Sequence, residues 1–116
     1  MMASGMMLPK TGNILFSLAQ RDKEKALPIA QSLQQKGYNI LATNDTWEYF
    51  NNRGLTAQRV EKANALELLQ RNEIHGIINT PTLGKISTRF GFILRRKAME
   101  YNIPCITSLD TAQAML

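Results

Sequence analysis

The chain has 116 residues, which is enough for one folded domain and too few for two of ordinary size. Hydrophobic residues make up 44% and charged residues 20%, an ordinary globular composition that excludes a disordered or fibrous protein. Fourteen Lys and Arg against nine Asp and Glu give a net charge of +5, which favours anionic partners such as nucleotides, phosphates, acidic proteins or nucleic acid.

The first twelve residues have the composition of a linker, with small residues, Pro9 and Gly12 and no hydrophobic periodicity. Their apolar start is far shorter than the roughly 20 residues that cross a bilayer. Cys105 is the only cysteine and has no partner for an internal disulfide, which favours a reducing compartment. We therefore expect a cytoplasmic domain over residues 13–116, preceded by a linker and belonging to a larger protein.

Ten elements are predicted along the chain, and strands alternate with helices throughout. In order, these are a strand over residues 14–18, a helix over 22–36, a strand over 38–43, a helix over 44–52 and a weaker strand over 56–60. They continue with a helix around 65–69, a strand over 76–79, a helix over 90–101, a strand over 103–107 and a helix over 110–116. Short apolar runs are typical of buried parallel strands, and apolar residues three and four apart indicate amphipathic helices.

Strict strand–helix alternation predicts a three-layer α/β fold. We expect a five-stranded, mainly parallel sheet with right-handed crossovers and helices on both faces. Asp22 is expected to cap the first helix, and Gly37 is expected to end it.

Hydroxyl, amide and ammonium groups follow four of the predicted strands. They are Ser17 and Lys23, then Thr43 and Thr46, then Lys62, and finally Asn79, Thr80, Thr82 and Lys85. Because open parallel sheets bind ligands outside the carboxyl ends of their strands, these groups should share one rim. Short hydroxyl side chains beside a helix N-terminus suit a phosphate, lysines add charge, and an amide can read a base or ribose edge. Two simpler explanations stay open: Thr46 as a plain helix cap, and each lysine as a solvated surface charge.

Four other features have simpler explanations than chemistry. His75 is interpreted as a surface histidine, and Cys105 as an inert buried thiol within an apolar strand. The run Arg95, Arg96 and Lys97 is interpreted as a solvated helix face, because the aromatic residues that stack on single strands are absent around it. The residues around Lys85 lack the earlier glycine that a Walker A loop requires.

One ordered set of motifs carries a resemblance to a known family. The set comprises Leu15-Phe16-Ser17-Leu18 followed by Asp22-Lys23-Glu24, then Ala42-Thr43-Asn44-Asp45-Thr46, Ile77-Ile78-Asn79-Thr80 and Ile93-Leu94-Arg95-Arg96-Lys97-Ala98. It resembles the C-terminal regulatory domain of carbamoyl-phosphate synthase large subunits, which has the methylglyoxal-synthase-like fold. The likeness runs from about residue 13 to residue 116.

The resemblance implies a domain that is not itself an enzyme and needs no cofactor, although it is part of a glutamine-hydrolysing ligase. It would bind a nucleotide effector, UMP or IMP, and so control carbamoyl phosphate formation for pyrimidine or arginine synthesis. Its partners would be the remainder of the large subunit and the glutaminase small subunit. Carried over by residue, the effector phosphate would meet Ser17, Lys23, Thr43, Thr46 and Lys62, with Asn79, Thr80 and Thr82 completing the pocket.

Asp45 departs from the family pattern, because it stands where relatives commonly have glycine. A carboxylate beside Thr46 is expected to oppose a phosphate unless it turns outwards or pairs with a lysine.

Two alternatives belong to other functional classes. A methylglyoxal-synthase-like lyase acting on a phosphorylated triose would need an acidic base in a glycine-rich loop after the third strand and a histidine after the fourth. The chain has Glu-Lys-Ala-Asn at residues 61–64 and Lys-Ile-Ser-Thr at residues 85–88. A basic nucleic-acid-binding module is supported only by the net charge and by the run of three cations at residues 95–97.

Overall fold

A computed structural model of the chain describes residues 12–80 and 89–114. The strands are Asn13–Ser17 (β1), Asn39–Thr43 (β2), Gln58–Val60 (β3), Gly76–Asn79 (β4) and Cys105–Ile106 (β5). The helices are Lys23–Gln35 (α1), Asn44–Asn52 (α2), Lys62–Gln70 (α3), Arg89–Glu100 (α4) and Leu109–Ala114 (α5), with a 3₁₀ turn over Gln20–Asp22. The predicted alternation is confirmed. Most of the predicted linker and the end of the last predicted helix lie outside the described residues.

The five strands form one sheet in the order β3-β2-β1-β4-β5, and all four pairings are parallel. β3 and β5 are shorter than predicted because each lies at an edge and pairs with one neighbour over only two or three residues. From β1 the chain moves outwards to β2 and β3, then returns to place β4 on the other side of β1. The strand order therefore reverses between β1 and β4, where open α/β sheets form a ligand crevice at their carboxyl ends.

Successive residues of the strands pack on opposite faces of the sheet. Ile14, Phe16 and Ile78 contribute to a buried cluster with α1, α2 and α5, where the rings of Phe16 and Phe50 meet edge to face with centroids 5.5 Å apart. Leu15 and its counterparts on β2 and β4 contribute to a second cluster with α3 and α4. Burial on both faces explains why the strands are continuously apolar rather than alternating.

The two ends of α1 differ in how well they match the prediction. Gly37 ends the helix as expected, with φ +104° and an N–H that donates to the Gln34 carbonyl at 3.1 Å. Asp22 stands at the N-cap position, but its side chain makes no capping bond. The reason is its backbone, which continues the helical conformation of the preceding 3₁₀ turn, whereas a capping residue is extended.

The interpretation of His75 as a surface residue holds only in part. The imidazole is half-buried at the amino edge of the sheet, and its Nδ1 accepts a hydrogen bond from the Asn13 backbone N–H at 2.9 Å. This bond ties the start of β1 to the residue that precedes β4, and the Asn13 side chain adds a bond to the Glu73 carbonyl at 2.6 Å. His75 is thus a structural acceptor at the edge opposite the rim.

We expect Gly12→Ala to destabilise the domain by about 2–4 kcal/mol, through positive-φ strain and a steric clash together. Gly12 has φ +139°, and a Cβ there would lie 2.7 Å from His75 Nδ1, a ring that cannot move away without losing its bond to Asn13. Gly54→Ala is the matched control, because Gly54 has φ +83° with no atom within 4 Å of a new Cβ. Urea unfolding of both variants measures the difference; equal losses would contradict the role given to the His75 contact.

Candidate phosphate-binding rim

Three polar side chains end adjacent strands at the carboxyl edge of the sheet, and we call them the strand-end row: Thr43 on β2, Ser17 on β1 and Asn79 on β4. Ser17 is in register with Asn79, and the pairing of Phe16 with Ala42 brings Ser17 beside Thr43. The Thr43 hydroxyl lies 3.5 Å from Ser17 Oγ, and Asn79 Nδ2 donates to the Ser17 carbonyl at 2.8 Å. By strand alternation the row lies on the sheet face covered by α3 and α4. It crosses the point where the strand order reverses.

Arg95 reaches the strand-end row from α4, whereas its sequence context predicted a solvated helix face. Its Nη1 donates to Asn79 Oδ1 at 2.8 Å, while Asn79 is only 5% exposed. The Asn79 amide therefore connects β1 to α4 across the crevice. The available sequence signal was the position of Arg95 next to buried Leu94, at the border of the inward helix face, where a long side chain can reach the edge of the sheet.

The N-terminus of α2 faces the same carboxyl edge. Thr43 is its N-cap residue with an extended backbone, and its side chain makes no capping hydrogen bond within the described part of the chain. Thr46 is not a cap either: it is fully buried in the first turn, and its Oγ1 accepts from the Leu18 backbone N–H at 3.2 Å. The partial positive charge of this helix end is therefore available to an anion.

Two buried hydroxyl groups hold the segment that leaves β1. Besides Thr46, Thr80 accepts through its Oγ1 from the Ala19 backbone N–H at 2.9 Å. In both bonds the hydroxyl oxygen is the acceptor, so the hydroxyl proton is not used in either. Thr80 also borders a cavity of about 260 Å³ on the side of α1 and α5, whereas its neighbour Asn79 belongs to the strand-end row on the other face.

Lys23 and Asp45 form an ion pair beside the first turn of α2. The Lys23 side chain is only 3% exposed, and its Nζ lies 2.9 Å from Gln20 Oε1 and 3.4 Å from Asp45 Oδ2. The Asp45 side chain is 73% exposed, so this carboxylate both turns outwards and pairs with a lysine. A buried ammonium needs such partners, because desolvation without compensation is costly.

The remaining predicted rim residues are less closely grouped. Lys62 is exposed at the start of α3, and its Nζ lies 5.6 Å from the centre of the Phe90 ring on α4. It thus borders the sheet face of the strand-end row. Thr82 and Lys85 lie outside the described residues, so both stay predictions.

The cations at residues 95–97 do not form one surface. Arg95 points to Asn79, Arg96 lies 6.0 Å from the Phe92 ring, and Lys97 pairs with Glu100 at 3.8 Å. Their separate directions remove the main argument for a nucleic-acid interface. The expectation that they form a solvated face holds for Arg96 and is wrong for Arg95.

Cys105 lies half-buried on β5. Burial raises the pKa of its thiol, and nearby Arg95 lowers it by a smaller amount. A thiol that stays protonated is a poor nucleophile, in agreement with the inert role predicted for it. Within residues 12–80 and 89–114 no group of three or more His, Cys, Asp or Glu side chains could hold a metal ion. The same residues include no helix with the length and hydropathy of a membrane span.

Comparison with known proteins identifies the family. Residues 25–107 match the MGS-like domain, and the chain belongs to this family. Over 113 residues, which is 97% of the chain, it is 42% identical to the carbamoyl phosphate synthase large chains of Caldanaerobacter subterraneus subsp. tengcongensis and Thermoanaerobacter pseudethanolicus. It spans only 10% of the length of each. The predicted family relationship is confirmed.

Two solved structures share the fold. The methylglyoxal synthase of Elizabethkingia anophelis NUHP1 aligns with a TM-score of 0.75 at 17% identity, covering 93% of this chain and 78% of that one. The structure of ForH aligns with a TM-score of 0.67 at 14% identity, covering 89% and 75% respectively. At these identities the likeness concerns the fold alone, and it agrees with the predicted three-layer architecture.

Proposed function

We propose that this domain is the regulatory domain of a carbamoyl phosphate synthase large chain and that it binds a nucleoside monophosphate, UMP or IMP. The synthase would be cytoplasmic and would include a glutaminase small subunit. The similarity to carbamoyl phosphate synthase large chains over 97% of this sequence supports the parent protein. The chemistry of the rim supports an anionic ligand.

The observation that carries the proposal is the Lys23–Asp45 pair at the N-terminus of α2. A buried ammonium is held there by a carboxylate that is itself mostly in solvent, so Asp45 can swing away at little cost. A phosphate arriving at this position would replace Asp45 as the ion-pair partner of Lys23. It would also be stabilised by the helix dipole and could accept hydrogen bonds from the backbone N–H groups of the first turn. Asp45 would thus act as a placeholder for the anion.

The nucleoside part is assigned to the face of the strand-end row. Thr43, Ser17 and Asn79 supply hydroxyl and amide groups for a ribose or base edge, and Arg95 adds a planar cation beside them. The Phe90 ring with Lys62 offers an apolar surface and a charge on the same face. A ligand with a phosphate at one end and a flat heterocycle at the other would place the phosphate at the N-terminus of α2 and the heterocycle on the face of the strand-end row.

Regulation requires that the nucleotide bind one state of the synthase better than another. By linkage, nucleotide and substrates then affect each other's binding equally, with a coupling of about 1–3 kcal/mol. We assign no chemical step to this domain. A lyase acting on a phosphorylated triose would need a histidine after β4, and residues 85–88 contain none.

Calorimetric titration of the 116-residue chain with UMP, IMP and inorganic phosphate tests the proposal. We expect saturable binding of at least one nucleotide at moderate salt, with inorganic phosphate competing weakly for the same site. Thr46→Val removes the acceptor that holds the Leu18 backbone N–H beside the N-terminus of α2 and should weaken binding, whereas Thr111→Val on α5 should leave it unchanged. A folded chain that binds none of the three, within a synthase that no nucleotide regulates, would overturn the proposal.

A further inference from the structure

The two sides of α4 have opposite character. Its inward side packs Leu94 and Ala98 into the second core cluster, as expected for a helix that covers a sheet. Its outer side carries Phe92, 53% exposed, and Met99, 77% exposed, which are the large hydrophobic side chains left in solvent among the residues that the structure describes. Seven residues of helix separate them, so they lie about 20° apart around the axis and about 10 Å apart along it.

Arg96 lies between these two side chains on the same outer side, with its guanidinium 6.0 Å from the Phe92 ring. We call Phe92, Arg96 and Met99 the outer stripe of α4. An apolar stripe with a cation at its centre suits a partner surface that offers an apolar recess with acidic side chains close by. Single exposed apolar residues are ordinary on protein surfaces, but two aligned on one helix indicate a contact face.

We propose that the outer stripe of α4 is the surface on which the rest of the synthase large chain docks. The relatives are about ten times as long as this chain, so the partner is joined to the domain covalently and is present at high effective concentration. Interfaces between domains of one chain are small and partly polar, which agrees with two apolar side chains around an arginine. The identity of the partner rests on the proposed function. The location of the surface does not depend on it.

The outer stripe lies on the same helix as Arg95, and this shared helix would link docking to regulation. α4 is also the helix whose Arg95 donates to Asn79 in the strand-end row, at 2.8 Å. A nucleotide that redirects Arg95 would act on the same helix that carries the outer stripe, one residue away. α4 therefore contacts the rim on one flank and the rest of the large chain on its outer side.

Hydrogen–deuterium exchange of backbone amides tests the docking without any nucleotide. Peptides covering α4 are compared between the 116-residue chain and the same segment within the full large chain. We expect at least about tenfold slower exchange of α4 in the large chain, and reversal of most of this protection by the double variant Phe92→Gln with Met99→Gln. Gln31→Ala with Gln35→Ala, two exposed positions of α1, is the matched control and should leave the protection in place.

Two results would overturn the inference. One is equal exchange of α4 in both contexts. The other is protection that rises with the concentration of the 116-residue chain together with a dimer in sedimentation, which would assign the stripe to a second copy. Nucleotide binding by the 116-residue chain is read separately, and the double variant should leave it unchanged. If the 116-residue chain binds no nucleotide and no nucleotide regulates the synthase, while α4 is still protected in the large chain, the proposed function is rejected and the docking surface is retained.

Discussion

Replacing Lys23 with methionine should weaken UMP binding by about a hundredfold while the domain stays folded. Hydrogen bonds to a charged group contribute about 1.5–3 kcal/mol, and the upper part of that range corresponds to two orders of magnitude in affinity. Methionine fills the volume of the buried lysine stem, and because the Asp45 side chain left behind is 73% exposed, the substitution leaves no buried unpaired charge. Titration calorimetry and urea unfolding of the same sample separate the two effects.

Two further variants make the Lys23 result specific. Lys36→Met removes the same charge just beyond the opposite end of α1, where the side chain is exposed, and should leave affinity unchanged. Asp45→Asn removes the competing carboxylate and should tighten UMP binding by about threefold to tenfold, as expected for one charge a few ångströms away in a largely solvated setting. Weaker binding by Asp45→Asn would show that the carboxylate orients Lys23 rather than competing with the phosphate.

The architecture was predictable from the sequence because each element carries a strong local pattern. β4 and α2 match their predicted limits residue for residue, since a short β-branched run and a well-defined helix start leave little freedom. β3 and β5 were predicted two to three residues too long, because the sequence pattern reports apolar character whereas strand length depends on a pairing partner. Sheet order cannot be read from any local pattern, since it depends on which faces the helices cover.

The site was predictable as a set of residue types and not as a set of contacts. Parallel strands bring their carboxyl ends to one edge, so the shared rim of Ser17, Thr43 and Asn79 follows from the order of elements alone. The roles within the rim depend on side-chain reach over long sequence separations. The pair of Lys23 with Asp45 spans 22 residues, the bond from the Leu18 N–H to Thr46 Oγ1 spans 28, and neither leaves a periodic signal.

Arg95 is a clearer example of a contact that the sequence does not predict. Three consecutive cations suggest one basic surface, yet a rotation of about 100° per residue sends them to three sides of the helix. Only the packing of α4 on the sheet determines which of them faces Asn79. Once that contact is known, Asn79 becomes the residue whose loss should have the largest structural effect at the rim.

We expect Asn79→Ala to lower the free energy of unfolding by about 2–4 kcal/mol and to abolish nucleotide binding. The substitution removes two hydrogen bonds of a residue that is 5% exposed, one to the Ser17 carbonyl and one from Arg95. It also leaves a half-buried guanidinium without this acceptor. Asn64→Ala, at an exposed position of α3, should change stability by less than about 0.5 kcal/mol and serves as the control.

Asn79→Asp separates the two bonds that Asn79 makes. An aspartate keeps an acceptor for Arg95 but cannot donate to the Ser17 carbonyl, so near neutral pH it should retain part of the stability lost in Asn79→Ala. Its negative charge would repel a nucleotide phosphate and, by neutralising Arg95, remove that cation from recognition. Partial stability with no UMP binding is therefore the expected pair of results. If Asn79→Asp bound UMP as well as the unsubstituted chain, neither Asn79 nor Arg95 would belong to the site, and the ligand would have to sit on the α1 side of the rim.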